Sequence, residues 1–157
     1  MILLGVDPGS VRVGYGAIAA QGSLLIHLES GLIPVPGATK AERLVALEQS
    51  LGALIDRLHP ERVGIERLFI GKNRKTANEV AHARGVIIAT IARRGVPIVE
   101  LSPSEVKCAV TGTGTASKGG VARMVALLLR LDGTRQIDDV TDALAVAIAT
   151  SGNRLTR

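Results

Sequence analysis

Acidic residues follow or lie beside apolar segments at three separate places in the chain. Asp7 follows the apolar segment that starts the sequence, and Glu66 ends the later segment RVGIE. A third group, within the stretch IDDVTDALAVA, contains Asp138, Asp139 and Asp142. Carboxylates that converge without a nearby Cys or His-x-x-x-His pair favour hard cations such as Mg²⁺ or Mn²⁺. Two such ions can activate a water molecule and stabilise the leaving oxygen of a phosphodiester.

The spacing within the third group leaves one choice open. Asp139 and Asp142 are three residues apart, and Asp138 and Asp142 are four apart, so either pair would share one face of a helix. One of Asp138 and Asp139 is expected to cap the helix N-terminus by accepting hydrogen bonds from free backbone N–H groups. Each acid has an ordinary structural explanation, such as a turn for Asp7. The prediction of a metal site therefore depends on their joint arrangement.

Hydrophobic periodicity and turn signals predict the elements that must position these acids. The predicted strands are Met1–Val6, a hairpin formed by Val11–Ala20 and Ser23–Pro34, then Arg62–Glu66 and Val96–Leu101. The first predicted helix starts at the capping box Thr39-x-x-Glu42. The second starts at Asn73 or Thr76 and ends at Arg93, and the third starts at Ser102-Pro103. The last two predicted helices are Val121–Leu131 and Asp139–Thr150.

Three antiparallel strands followed by strand–helix alternation predict an α/β fold: a five-stranded mixed sheet flanked by helices on both faces. In such sheets ligands bind at the carboxyl ends of the strands. We therefore expect Asp7 and Glu66, at the ends of two strands, to converge at one edge. With no internal repeat and no linker, the 157 residues are expected to form a single domain, residues 1–157.

The distribution of charge indicates a polyanionic partner. The net charge is +5, and between Arg67 and Arg123 ten Lys or Arg residues stand against three acids. A basic middle segment between segments that supply isolated carboxylates is typical of an enzyme that binds nucleic acid in a cationic groove. Aromatic residues make up only 1% of the chain, so the core must be built from aliphatic side chains.

The apolar segments are too short to cross a membrane. Segments such as residues 86–92 and 125–129 are far below the roughly 20 residues that a transmembrane helix needs. The N-terminal segment lacks the basic region and cleavage site of a signal peptide. Cys108 is the only cysteine, which excludes an internal disulfide. A cytoplasmic protein without a membrane partner is expected.

Five segments in this order and spacing, GVDPGSVRVGYGAI, IERLFIGKN, ARGV, VKCAVTGTGTASK and DVTDALAVAI, resemble the RuvC-type Holliday junction resolvases. The resemblance runs from about Ile2 to about Ser151. It implies a ribonuclease-H-like fold and a homodimeric, divalent-metal-dependent endonuclease. Such an enzyme resolves four-way DNA junctions by paired symmetric nicks in recombination and repair. The resemblance also implies a branch-migration motor of the RuvA and RuvB type as a partner.

The resemblance also implies roles for individual residues. The catalytic residues, which would hold two Mg²⁺ or Mn²⁺ ions, are Asp7, Glu66, Asp139 and Asp142. This set includes Asp139 rather than Asp138. The residues placed on DNA are Lys107 and Lys118 on the backbone and Phe69 on junction bases. Stacking of an aromatic ring on a base contributes about 1–3 kcal/mol. The alternative role for Phe69, as a buried anchor of its loop, is the less favoured one.

Charge and position add further candidates. Basic residues beside Phe69 are expected to meet phosphates; they are Arg67, Lys72, Arg74 and Lys75. Small residues on the helix that ends at Arg93 make it a candidate dimer interface, with an intramolecular core helix as the alternative.

Four other functions compete with the nuclease. The glycine-rich loop TGTGTASKGG is not a Walker phosphate loop, because Ser117 precedes Lys118 and Gly119 follows it. An ATP-binding protein of the sugar-kinase and actin type would need two such domains. A related ribosomal-RNA maturation nuclease shares the first Asp-x-Gly, but the segment IERLF with its following KN favours the junction enzyme. A junction-binding module without catalysis would gain nothing from clustered acids, which repel one another without metal.

Overall fold

The computed structural model describes residues 1–9, 12–67, 74–131 and 137–152, with the side chains of residues 74–76 excepted. The strands are β1 (Ile2–Pro8), β2 (Val13–Gln21), β3 (Leu24–Ile33), β4 (Arg62–Glu66) and β5 (Ile98–Leu101). The helices are α1 (Lys40–Leu58), α2 (Arg74–Arg93), α3 (Pro103–Thr111), α4 (Lys118–Leu129) and α5 (Asp138–Gly152).

The five strands form one mixed sheet in the order β3-β2-β1-β4-β5. The pairs β1–β2 and β2–β3 are antiparallel, whereas β1–β4 and β4–β5 are parallel. Strand β1 lies in the middle and is covered on both sides. The predicted α/β fold, with three antiparallel strands first, is confirmed.

Two aliphatic cores separate the sheet from helices on its two faces. Side chains of β1 alternate between them, since Leu3 belongs to the core beneath α3, α4 and α5, and Leu4 to the core beneath α1 and α2. The same alternation assigns Ile18 and Ala17 of β2 to opposite cores. This period of two places every odd-numbered residue of β1 on the α5 face.

Glycines in the sheet let α5 approach the strands at backbone distance. A β-carbon at Gly5 would collide with the carbonyl oxygen of Ala143, and one at Gly14 with that of Asp139. At Gly16 a β-carbon would lie only 2.6 Å from Cδ2 of Leu144. The helix is therefore fixed against β1 and β2 by contacts that no larger residue would allow.

Several element boundaries differ from those predicted. Helix α4 begins at Lys118, three residues before the predicted Val121, because the Ser117 hydroxyl accepts a hydrogen bond from the Gly120 N–H at 3.1 Å and caps the helix. The end of the glycine-rich stretch is therefore helical rather than a loop. Strand β5 is two residues shorter than predicted, since Pro97 has no N–H for the ladder.

Among the described residues, no helix is both long enough and apolar enough to span a lipid bilayer.

Candidate active site at the carboxyl edge of the sheet

Asp7 and Glu66 lie side by side at the ends of two parallel strands. The register of β1 and β4 pairs Gly5 with Gly64 and Val6 with Ile65, so the next step brings Asp7 beside Glu66. Gly5 and Gly64 both face α5, and side chains two residues further along a strand share that face. Both carboxylates are therefore directed to the α5 side of the sheet.

Helix α5 brings two further acids to the same edge. The backbone of Asp139 lies against Gly14, and Gly14 is the register partner of Asp7 on β2. The first turn of α5 thus stands over the end of β1, with Asp142 one turn further along. The Asp139 side chain is 29% exposed and that of Asp138 74% exposed. Of the two alternatives that the sequence left open, Asp139 is the one turned toward the sheet.

The pKa values of the two strand acids show that the carboxylates act on one another. Burial, and after it the negative charges of the other carboxylates, Asp142 first, together raise the pKa of Asp7 to about 7. The pKa of Glu66 is also raised, first by burial and then by the charge of Asp142. Two cations oppose these effects, Lys118 for both acids and Lys107 for Glu66. The site therefore contains more negative charge than its own cations offset.

Two basic side chains are paired with the acids of α5. Lys118 Nζ lies 3.1 Å from Oδ2 of Asp142 and 3.5 Å from Oδ2 of Asp138. The carboxylate of Asp142 is the main cause that raises the pKa of Lys118. Arg12 Nε lies 3.3 Å from Oδ2 of Asp139. Each acid of α5 at this edge therefore has a cationic partner in the protein itself.

A cleft of about 230 Å³ opens beside the acids. Its polar lining consists of two acids and two lysines: Glu66, Asp142, Lys107 and Lys118. Its apolar lining comes from α3, α4 and α5: Pro103, Val106, Val121 and Ala145. Helix α3 is fixed by a capping box in which Ser102 and Glu105 bond each other's backbone N–H groups. The cleft can thus hold an anionic group between lysines and carboxylates.

The carboxylate oxygens at this edge are the type of ligand that binds a hard divalent cation. All four side chains offer carboxylate oxygens, which Mg²⁺ and Mn²⁺ prefer. Burial first, and then the charges of the other carboxylates, raise the pKa of Asp7, and a bound cation would offset the charge part of that effect. Within the described part of the chain, however, no three Asp, Glu, His or Cys side chains are grouped closely enough to hold a metal ion. Mutual repulsion and the ion pairs of Asp139 and Asp142 account for this open arrangement.

The structure brings together only some of the predicted DNA-contacting residues. Lys107 and Lys118 line the cleft. Phe69 and Lys72 lie outside the described residues, and Arg74 and Lys75 start α2 with side chains that are not described. Arg67 is described and lies 3.9 Å from Glu105 in an ion pair.

Two residues of the site were missed by the sequence analysis, Arg12 and Arg84. Arg84 donates from Nε to the carbonyl oxygen of Glu66 at 3.4 Å and pairs with Glu100 on β5. It thereby holds the end of β4 in place beneath the Glu66 side chain. Its presence in the segment ARGV was the only signal in the sequence, and nothing there connected Arg12 with Asp139.

Comparison with known proteins gives consistent results over nearly the whole chain. Residues 3–150 match the family described as crossover junction endodeoxyribonuclease RuvC. The RuvC proteins of Moorella thermoacetica and Heliobacterium modesticaldum are each 45% identical over 94% of this chain, which covers 89% and 92% of their lengths.

Solved structures match as well. Thermus thermophilus RuvC in complex with a Holliday junction substrate superposes with a TM-score of 0.89 at 29% identity, covering 96% of this chain and 93% of that one. The yeast mitochondrial Holliday junction resolvase shares the fold, with a TM-score of 0.62 at 15% identity over 94% of this chain and 77% of that one. Sequence, fold and the acidic edge of the sheet agree, and the chain belongs to the crossover junction endodeoxyribonuclease RuvC family.

Proposed function

We propose that this protein is a structure-selective endonuclease that resolves four-way DNA junctions by paired symmetric nicks in recombination and repair. The observation that carries this proposal is the convergence of Asp7, Glu66 and the two acids of α5 beside a cleft lined by Lys107 and Lys118. A relative of the same family and fold has been solved with a Holliday junction as its substrate. All four positions of the acidic set are intact here.

We assign the catalytic and metal-holding role to Asp7, Glu66, Asp139 and Asp142. Nucleases of this family depend on a divalent metal ion, and we propose two ions of Mg²⁺ or Mn²⁺ per site. When bound, such ions activate a water molecule and stabilise the leaving oxygen of a phosphodiester.

The chain's own residues position the carboxylates and neutralise the charge of the phosphate. Asp7 and Glu66 are fixed at the ends of paired strands, so their carboxylates are oriented before any ligand binds. Lys107 and Lys118 line the same cleft as Glu66, where their ammonium groups would hold a phosphate and offset its charge. The partial burial of Asp7 lowers its contact with water and so strengthens the electrostatic interactions of its carboxylate.

The DNA surface would extend beyond the cleft along the start of α2. We assign Phe69 to stacking on an exposed junction base and Lys72, Arg74 and Lys75 to phosphate contacts. Their place in the chain, between the end of β4 and the body of α2, supports this assignment.

A homodimer fits a substrate with two-fold symmetry, since two copies would present one site to each of two opposed strands. On α2 the small residues Ala81, Gly85 and Ala89 are exposed in the single chain and follow one another at intervals of four. We propose this stripe as the contact between the two copies. We further propose a single nuclease domain over residues 1–157, a cytoplasmic location and a branch-migration motor of the RuvA and RuvB type as partner.

A synthetic four-way junction whose core can branch-migrate, with each strand end-labelled in turn, tests this function. Wild type, Asp7→Asn and Glu66→Gln are incubated with it, with and without Mg²⁺ or Mn²⁺. We expect metal-dependent nicks at symmetric positions from the wild type only, while both variants still bind the junction. Tight binding without cleavage by the wild type would contradict the proposal and leave a binding module. Cleavage of structured RNA but not of junctions would also contradict it.

A further inference from the structure

Two basic side chains form ion pairs with carboxylates that a metal ion would need as ligands. Arg12 contacts Asp139 at 3.3 Å, and Lys118 contacts Asp142 at 3.1 Å. The two cations are themselves 60% and 62% exposed, whereas the acids are 29% and 35% exposed. Long side chains that lie largely in solvent can leave their partners without disturbing the core, which makes both pairs separable.

A divalent cation and these two basic groups compete for the same oxygen atoms. A metal ion bound by Asp142 would stand within a few ångströms of the Lys118 ammonium, and like charges at that distance repel strongly in a partly buried site. The same holds for Arg12 at Asp139. Asp138 offers Lys118 a second contact at 3.5 Å on the exposed side of α5, so the ammonium has a partner that lies further from the acidic edge.

We propose that Arg12 and Lys118 are exchangeable counter-ions, which neutralise Asp139 and Asp142 in the metal-free protein and are released to DNA phosphates when a divalent cation binds. This inference rests on the proposed metal site. Arg12 then belongs to the site as a positioning residue for Asp139. Lys118 acts at two successive places, first on Asp142 and then on the phosphate in the cleft.

This exchange couples the two binding steps thermodynamically. A divalent cation that frees two basic groups strengthens DNA binding, and by linkage DNA strengthens the binding of the cation by the same factor. Exposed ion pairs of this kind correspond to about two- to five-fold in an equilibrium constant. Each pair is therefore expected to contribute a factor of that size to the coupling.

The coupling is measured as the ratio of junction dissociation constants without and with Ca²⁺, for wild type, Arg12→Gln and Lys118→Met. Ca²⁺ serves as the probe because it takes the same oxygen ligands. Arg123→Gln is the matched control, since Arg123 is an exposed cation on α4 and is not part of either pair. We expect the ratio to fall about two- to five-fold in Arg12→Gln and in Lys118→Met, and to keep its wild-type value in Arg123→Gln although overall affinity drops.

Calorimetric titration of the DNA-free proteins with Ca²⁺ separates this inference from the proposed metal site. Tighter Ca²⁺ binding by Arg12→Gln and Lys118→Met, together with the reduced ratio, supports the exchange. Equal ratios in all four proteins, with Ca²⁺ binding that depends on Asp7, would overturn the exchange and leave the metal site standing. Absence of Ca²⁺ binding by the wild type would overturn both.

Discussion

Asp7 is expected to destabilise the metal-free protein at neutral and alkaline pH. Its pKa rises from 3.8 to about 7, because burial, and after it the neighbouring carboxylates, disfavour the ionised form. Between these two values the folded protein retains a proton that the unfolded chain has lost. The free energy of unfolding therefore falls as the pH rises from about 4 to about 7 and stays level above that.

The difference between the two pKa values of Asp7 sets the size of the change in the free energy of unfolding. At 1.36 kcal/mol per pH unit, the distance from 3.8 to about 7 corresponds to about 4 kcal/mol. Partial contact of the side chain with solvent screens part of this, so we expect about 2–4 kcal/mol. Asp7→Asn removes the ionisable group, so this variant should exceed the wild type by that amount at pH 8 and match it near pH 4.

Urea unfolding in the presence of EDTA at pH 3.5, 4, 6 and 8 measures this difference. Asp56→Asn is the matched control, because Asp56 is exposed and Arg94 holds its pKa below the ordinary value through a hydrogen bond. The Asp56→Asn variant should be less stable than the wild type at pH 8 and approach the stability of the wild type only below about pH 4. If Asp7→Asn is less stable than the wild type at pH 8, or follows the same pH profile, the account of the acidic cluster is wrong.

Two further predictions concern the helices around the site. Gly14→Ala should destabilise the protein by about 1–3 kcal/mol and weaken Mn²⁺ binding, because the new β-carbon would displace the Asp139 backbone. Thermal unfolding and Mn²⁺ titration measure these two effects. Gly152→Ala is the control, since a β-carbon at Gly152 would meet open space. Equal losses in both variants would contradict the close packing of α5. Lys107→Met should slow junction cleavage about 10²–10³-fold while Mn²⁺ binding persists, as measured by single-turnover kinetics; an unchanged rate would remove Lys107 from the phosphate site.

The sheet and the strand acids of the site could be predicted because the signals are local. Apolar segments stopped by Asp7-Pro8-Gly9 and by Glu66 predict strands whose ends meet at one edge. The structure has these strands in parallel with the acids adjacent. Predicting that edge needed only the order of the elements and the rule that ligands bind at carboxyl ends.

The choice between Asp138 and Asp139, and the partners of the acids, could not be predicted in this way. Both aspartates suit the start of a helix, and the choice depends on how α5 is rotated about its axis. Contacts of α5 with Gly5, Gly14 and Gly16 set that rotation. Arg12 meets Asp139 only because β2 pairs with β1 in one particular register and α5 crosses directly above. Such contacts join residues that are distant in the sequence, so they produce no periodic pattern in it.

Anomalous diffraction from crystals of the protein with Mn²⁺ and a non-cleavable junction tests the central claim most directly. The account predicts Mn²⁺ peaks within about 2.0–2.2 Å of carboxylate oxygens of Asp7, Glu66 and the α5 acids, with Arg12 and Lys118 turned away toward phosphate. Mn²⁺ peaks elsewhere, or none at this edge of the sheet when the junction is bound, would contradict it.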